Sequence, residues 1–164
     1  RKRYFDIAMD LHTMQGRGND VAAALTPLYT QMTDLAGKIA GMTNVPDAVK
    51  TQFTAVQKEF DTVRAKFGVP AGPAAAGGGR GGGGFGGAAP VNNTNVLARV
   101  GNVKTQILTF YDMPSDTLMR QYADVRVALP RAVTEVNAFL TKATALSQAL
   151  AKSNVTLTVP AAVK

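Results

Sequence analysis

Apolar residues recur along this chain in steps of three and four. In the first segment Tyr4, Ile7, Leu11, Met14, Gly18, Val21, Leu25, Leu28, Met32, Leu35 and Ile39 follow this rule. A second set runs Val49, Phe53, Val56, Phe60, Val63, Phe67, and a third Val96, Val100, Val103, Ile107, Phe110. The fourth is Leu118, Tyr122, Val125, Leu129, Ala132, Val136, Phe139, Ala143, Leu146, Leu150. The mean step of about 3.5 is that of helices packed side by side at a shallow angle. Ala8, Ala22, Leu97, Leu108, Val133 and Leu140 widen the stripes, which favours a multi-helix core over a two-stranded coil.

Stop and start residues punctuate the pattern. Gly41 reads as the C-terminal cap of the first helix, and Asn44-Val45-Pro46-Asp47 as the opening of the second, with Asn44 its cap. Phe67-Gly68-Val69-Pro70 closes the second, Asn93 or Thr94 caps the third, and Asp112-Met113-Pro114-Ser115-Asp116 turns into the fourth. Short loops within the first and last pairs predict antiparallel neighbours. Between the pairs, Ala74 to Gly87 is almost all Gly and Ala, a run that resists regular structure through its backbone entropy.

The expected fold is all-α: an antiparallel up-down four-helix bundle with two long outer helices, two shorter inner ones, and a Gly-rich loop between the hairpins. Residues 1–67 form the first hairpin, 68–92 the linker, 93–153 the second hairpin and 154–164 an extended tail with strand-like alternation, lying along a neighbouring surface. The outer helices should be on the order of 55 Å long and the inner ones roughly 30 Å. Up-down topology then leaves residues 4–18 and 137–153 projecting as a two-helix stalk. Pro27 and Pro130 fall inside the long helices at comparable height and should bend both alike.

Composition narrows the chemistry. The 164 residues include no Cys, no Trp and one His, which excludes disulfides, thiolate zinc sites and thiol catalysis. The net charge is +7, but after Arg1-Lys2-Arg3 the cations come mostly singly, between apolar positions, as on solvated helix faces. His12 with Asp6 and Asp10 could form a weak metal site, although a solvated acidic patch explains them with less. Ser115 and Ser147 have no histidine partner in their local pattern, and no carboxylate pair stands out for acid–base work. No catalytic, cofactor-binding or metal residue is therefore assigned, and no Glu-x-x-His pair supports a cofactor-holding bundle.

Three further features carry alternatives. Gly-Gly-Arg-Gly-Gly around Arg80, with Phe85, has the look of an RGG segment of RNA-binding proteins, but the unit occurs once, and no Gly-Lys-Ser/Thr makes it a phosphate loop. Gly16 and Gly18 interrupt a good helix former, either as a weak turn or to admit another backbone closely. Asn92-Asn93-Thr94 and Asn154-Val155-Thr156 fit glycosylation acceptors, a triplet that chance supplies readily.

The order of features resembles the C-terminal helical region of large bacterial proteins built on a sortilin-type (VPS10-like) β-propeller and often labelled glycosyl hydrolase. The likeness rests on a long helix, a shorter one, a variable loop and the Asn-rich entry Pro90-Val91-Asn92-Asn93-Thr94-Asn95. It continues through the Pro-initiated turn Tyr111 to Asp116 and the late aromatic in Asn137-Ala138-Phe139-Leu140, covering about Arg3 to Thr158. The resemblance implies a fragment of an exported protein, extracellular, periplasmic or in the cell envelope. An opening on Arg1 without an initiator Met fits the same expectation. The expected function is a non-catalytic structural module docking on its own upstream propeller or a neighbouring subunit. The alternative is a basic helical protein that binds RNA or an anionic membrane surface.

Overall fold

The structure, a computed structural model, describes residues 2–69, 94–109 and 114–164. These residues form four helices and no strand: α1 (Lys2–Ile39), α2 (Asp47–Ala65), α3 (Val96–Thr109) and α4 (Asp116–Ala151). Most of the Gly-rich linker, Asn93, and Phe110 to Met113 lie outside the described residues.

The stripes read from the sequence are the core. In α1, Ile7, Leu11, Met14, Gly18, Val21, Leu25, Leu28, Met32 and Ile39 are buried, and Tyr4 and Leu35 pack against them half-buried. Phe53, Val56, Phe60 and Val63 are buried in α2, and Val96, Val100, Val103 and Ile107 in α3. The buried stripe of α4 is the broadest, including Val133 and Leu140 beside the seam, because α4 touches every other helix. Leu108 departs from expectation: it is 56% exposed and widens no stripe.

The arrangement of the helices also departs from expectation. Tyr122 reaches Asp10, Leu129 lies near Gly18, and Asn44, just beyond α1, bonds to Ser153, just beyond α4. Helices α1 and α4 therefore run in the same direction, not opposite ones. Along α1, Leu97, Gly101 and Lys104 of α3 meet Gly18, Gln15 and His12 in turn, so α3 is antiparallel to it. Along α4, Glu59 and Lys66 meet Lys142 and Glu135, so α2 is antiparallel too. Helices α2 and α3 do not pack on each other lengthwise. Instead the Leu97 N–H donates to the Lys66 carbonyl at 3.3 Å, joining the end of α2 to the start of α3.

The bundle is thus three rods in cross-section. Two are the long parallel helices; the third is α2 followed by α3. Lengths of 19 and 14 residues laid end to end come close to the 38 and 36 of the long rods. No stalk projects, because residues 4–18 are covered by α3 and residues 137–153 by α2. The prolines are not level either. Pro130 is next to Leu129, which faces Gly18, so Pro27 sits eight residues, or about 12 Å, further along. Both long helices continue unbroken through their prolines.

Caps explain the ends. Gly68 takes φ +65°, the Gly68 N–H donates to Ala65 and the Val69 N–H to Arg64, the paired bonds of a Schellman ending with Val69 buried beneath it. Asn95, which the sequence reading did not name, caps α3 by accepting from the Ala98 N–H at 2.9 Å. Ser115 caps α4 by accepting from Leu118. Two expected caps are corrected. Gly41 does not enter the left-handed region, and Asn44 does not cap α2: its amide donates to the Ser153 carbonyl at 2.7 Å, and the residue before the helix is Pro46, which has no side-chain cap.

The paired glycines separate cleanly. A Cβ on Gly16 would meet nothing within 4 Å, whereas on Gly18 it would fall 2.5 Å from Leu97 Cδ1. Gly18 thus admits a side chain of α3, not a backbone. Gly16→Ala is expected to raise stability by about 0.5–1 kcal/mol through helix propensity. Gly18→Ala should gain nothing, and recover that increment only in a Leu97→Ala background. Urea denaturation of the four variants checks this; equal gains at both glycines would place Leu97 elsewhere.

Candidate functional site: a cleft between the long helices

Two parallel helices leave a cleft along each side. The third rod fills one. In the other lies the segment that follows α4. The turn into it is a second Schellman ending, with Asn154 at φ 60°, its N–H donating to Ala151 and the Val155 N–H to Leu150 at 3.0 Å. Asparagine tolerates this left-handed position better than most residues. The chain then runs back along the cleft as extended backbone.

Side-chain amides hold it there. Gln31 of α1 accepts from the Thr158 N–H (2.8 Å) and donates to the Thr158 carbonyl (3.2 Å). Asn137 of α4 does the same for Val163, at 2.9 Å in each direction. Each amide thus presents one donor and one acceptor to a single residue's backbone, as a neighbouring strand would. Ser147 Oγ donates to the Leu157 carbonyl at 2.6 Å, and Arg17 Nε to the Lys164 carbonyl at 2.8 Å. Side chains alternate: Val155 and Leu157 are buried and Val159 half-buried, while Asn154, Thr156 and Thr158 face solvent. The strand-like alternation seen in the sequence is real, but the surface that receives it is the protein's own. Sequence reasoning did not single out Gln31, Asn137 or Arg17. Lone polar residues on a helix carry no signal until topology puts them beside a backbone.

Beyond Lys164 the same faces meet again in a polar cluster. Asp10 and Arg17 are seven residues apart on α1, and Arg126 and Asn137 eleven apart on α4, so each pair shares a face. Tyr122 donates to Asp10 Oδ2 at 2.6 Å, Arg126 Nε lies 3.3 Å from the same oxygen, and the guanidinium sits over the Tyr122 ring. Burial, then the hydrogen bond to Asp10 and its charge, push the Tyr122 phenol up to about 12. The proton is held more tightly in the folded state than at the ordinary value of 10.0, so unfolding releases it first. Stability from this group is intact below that value and is lost as pH climbs from about 10 to 12. Tyr122→Phe should cost about 1 kcal/mol at neutral pH. It should also lose less stability than the parent between pH 10 and 12 in denaturant titrations; parallel losses would place the phenol in water.

The other sequence candidates are dispersed. Asp10 is committed to Tyr122 and Arg126, while His12 Nδ1 lies 3.1 Å from Lys104 Nζ on α3, so Asp6, Asp10 and His12 do not converge. Among the described residues no group of three or more His, Asp or Glu is placed to hold a metal. Ser115 serves as a cap and Ser147 holds the tail. Several cations are paired internally, Lys66 with Glu135, Arg64 with Asp61, and Lys142 with Glu59. Among the described residues no helix is long and apolar enough to cross a membrane. No family model, curated protein or solved structure matches the chain.

Proposed function

We propose that this chain is a non-catalytic interaction module, a helical strut that docks on a larger protein. The partner is the β-propeller of a parent protein to which it belongs, or a neighbouring subunit, at the cell envelope or outside the cell. One observation supports this above the rest. Phe5 (65% exposed) and Met9 (48%) stand one turn apart near the start of α1. Leu108 (56%) lies on α3 one turn beyond Lys104, which meets His12, and so is level with them. Large apolar side chains gathered at one end of a bundle mark a contact surface. A rod with a close-packed interior and an apolar end suits a spacer or brace better than a site for chemistry.

The test is cross-linking of the native protein in its source, with peptide mapping of the products and intact-mass analysis. Cross-links from α1's first turns and the end of α3 to a propeller, in the same chain or another, support the reading. The triple variant Phe5→Ser, Met9→Ser, Leu108→Ser should keep its thermal midpoint and lose those cross-links. Cross-links unchanged by the triple variant would overturn the proposed surface. Association that collapses on adding salt would instead point to a phosphate-bearing partner.

A further inference from the structure

The cleft between α1 and α4 reads its occupant in two ways, and neither depends on that occupant being part of the same chain. Gln31 and Asn137 address backbone N–H and carbonyl groups, which every polypeptide carries. Selectivity comes from the alternate inward positions, filled by Val155, Leu157 and Val159. This is how sheet edges receive an added strand, main-chain bonds for affinity and alternate pockets for choice. Here two helix side chains replace the edge. The link to α4 is a single turn at Ser153 and Asn154, and the outward side of the segment faces solvent. The segment has no sheet partner among the described residues, and the contacts described for it are those of the cleft.

We propose that this cleft is a receptor for an extended polypeptide segment with small aliphatic side chains at alternate positions. Residues 155–164 occupy it in cis and compete with such a segment supplied by a partner. The cis segment has the advantage of an effective concentration in the millimolar range, about that of a short tether. A partner strand therefore enters when the tail is drawn off, and the tail acts as the gate to the site.

The probe is a fluorescent peptide with the sequence of residues 154–164. The protein is the full chain carrying Val155→Asp and Leu157→Asp, which releases the tail while leaving the cleft intact. Circular dichroism and light scattering establish that the variant stays helical and monomeric. Saturable binding of the peptide to this variant is expected, at least tenfold weaker after Gln31→Ala and Asn137→Ala are added. The unaltered chain should bind it at least tenfold more weakly than the released one. A helical variant that does not bind, or binding indifferent to Gln31 and Asn137, overturns the proposal. If the variant loses its helices, hydrogen exchange of the unaltered chain decides. The Thr158 and Val163 amides should exchange at least tenfold faster than those of Val136 and Phe139, reporting that the tail opens on its own. Equal protection would mean that the tail leaves only when the whole bundle unfolds, and the receptor reading would fall.

Discussion

Phe60→Ala is expected to cost about 3–5 kcal/mol, a large share of the whole for a domain whose net stability is on the order of 5–15 kcal/mol. Phe60 is 1% exposed at the point where α1, α2 and α4 meet. Its ring stacks on Phe139, centroids 5.0 Å apart and planes 12° from parallel, and its centroid lies 6.3 Å from that of the tilted Tyr29 ring. Truncation leaves a cavity bounded by three helix backbones that cannot all close on it. Phe139→Ala should cost a similar amount, and a double-mutant cycle should return a coupling of about 0.5–1.5 kcal/mol, since the second truncation removes a contact already lost. Val127→Ala, on a side chain 71% exposed, should stay within about 0.5 kcal/mol. Guanidinium unfolding followed by helical circular dichroism measures all four. A Phe60→Ala loss below about 1 kcal/mol would mean that α2 does not pack where the structure has it.

Leu157→Ala is expected to cost about 2 kcal/mol, at the low end for a buried leucine. Leu157 is only 4% exposed, so transfer and cavity terms alone would allow more. The difference lies in what surrounds it. A core leucine on a helix is held by the fold, whereas Leu157 belongs to the segment proposed above to leave its cleft. Once the segment is weakened enough to leave, further damage to it costs nothing more. Adding Val155→Ala to Leu157→Ala should therefore cost less than Val155→Ala alone, and both losses should level off at the docking free energy of the tail. Full additivity in chemical denaturation would show instead that the tail and the bundle unfold as one unit.

Local physics was legible in the sequence, and arrangement was not. Every residue of the fourth stripe is buried except Tyr122, which is half-buried, because a 3.5-residue repeat fixes the face of a helix whatever it packs against. Gly68 and Ser115 could be read as ends because their chemistry is local. Gly41 and Asn44 could not, since a distant carbonyl on Ser153 decided the role of Asn44. The order of the rods was within reach: helices of 19 and 14 residues in series nearly match one of 36, whereas side by side they leave both long helices half bare. Each short loop does join antiparallel neighbours, α1 with α2 and α3 with α4; placing α2 and α3 side by side instead of in series hid that comparison. The cleft was not legible at all. Gln31 and Asn137 are ordinary surface residues until the parallel run of α1 and α4 sets them along one backbone.

The junction of α2 and α3 has a consequence for how the two halves of the chain depend on each other. Helix α1 packs most extensively on α3, and α2 on α4, so each half supplies the cover that the other lacks. A cut between Val69 and Thr94 would leave fragments that each hold one full rod and part of the third. Neither buries its own stripe alone, yet together they carry every described helix. Mixed in solution, the two should find each other and fold as a pair. Recovery of the helical signal on mixing would mean that the two halves recognise each other through their helix faces, without a covalent link between them.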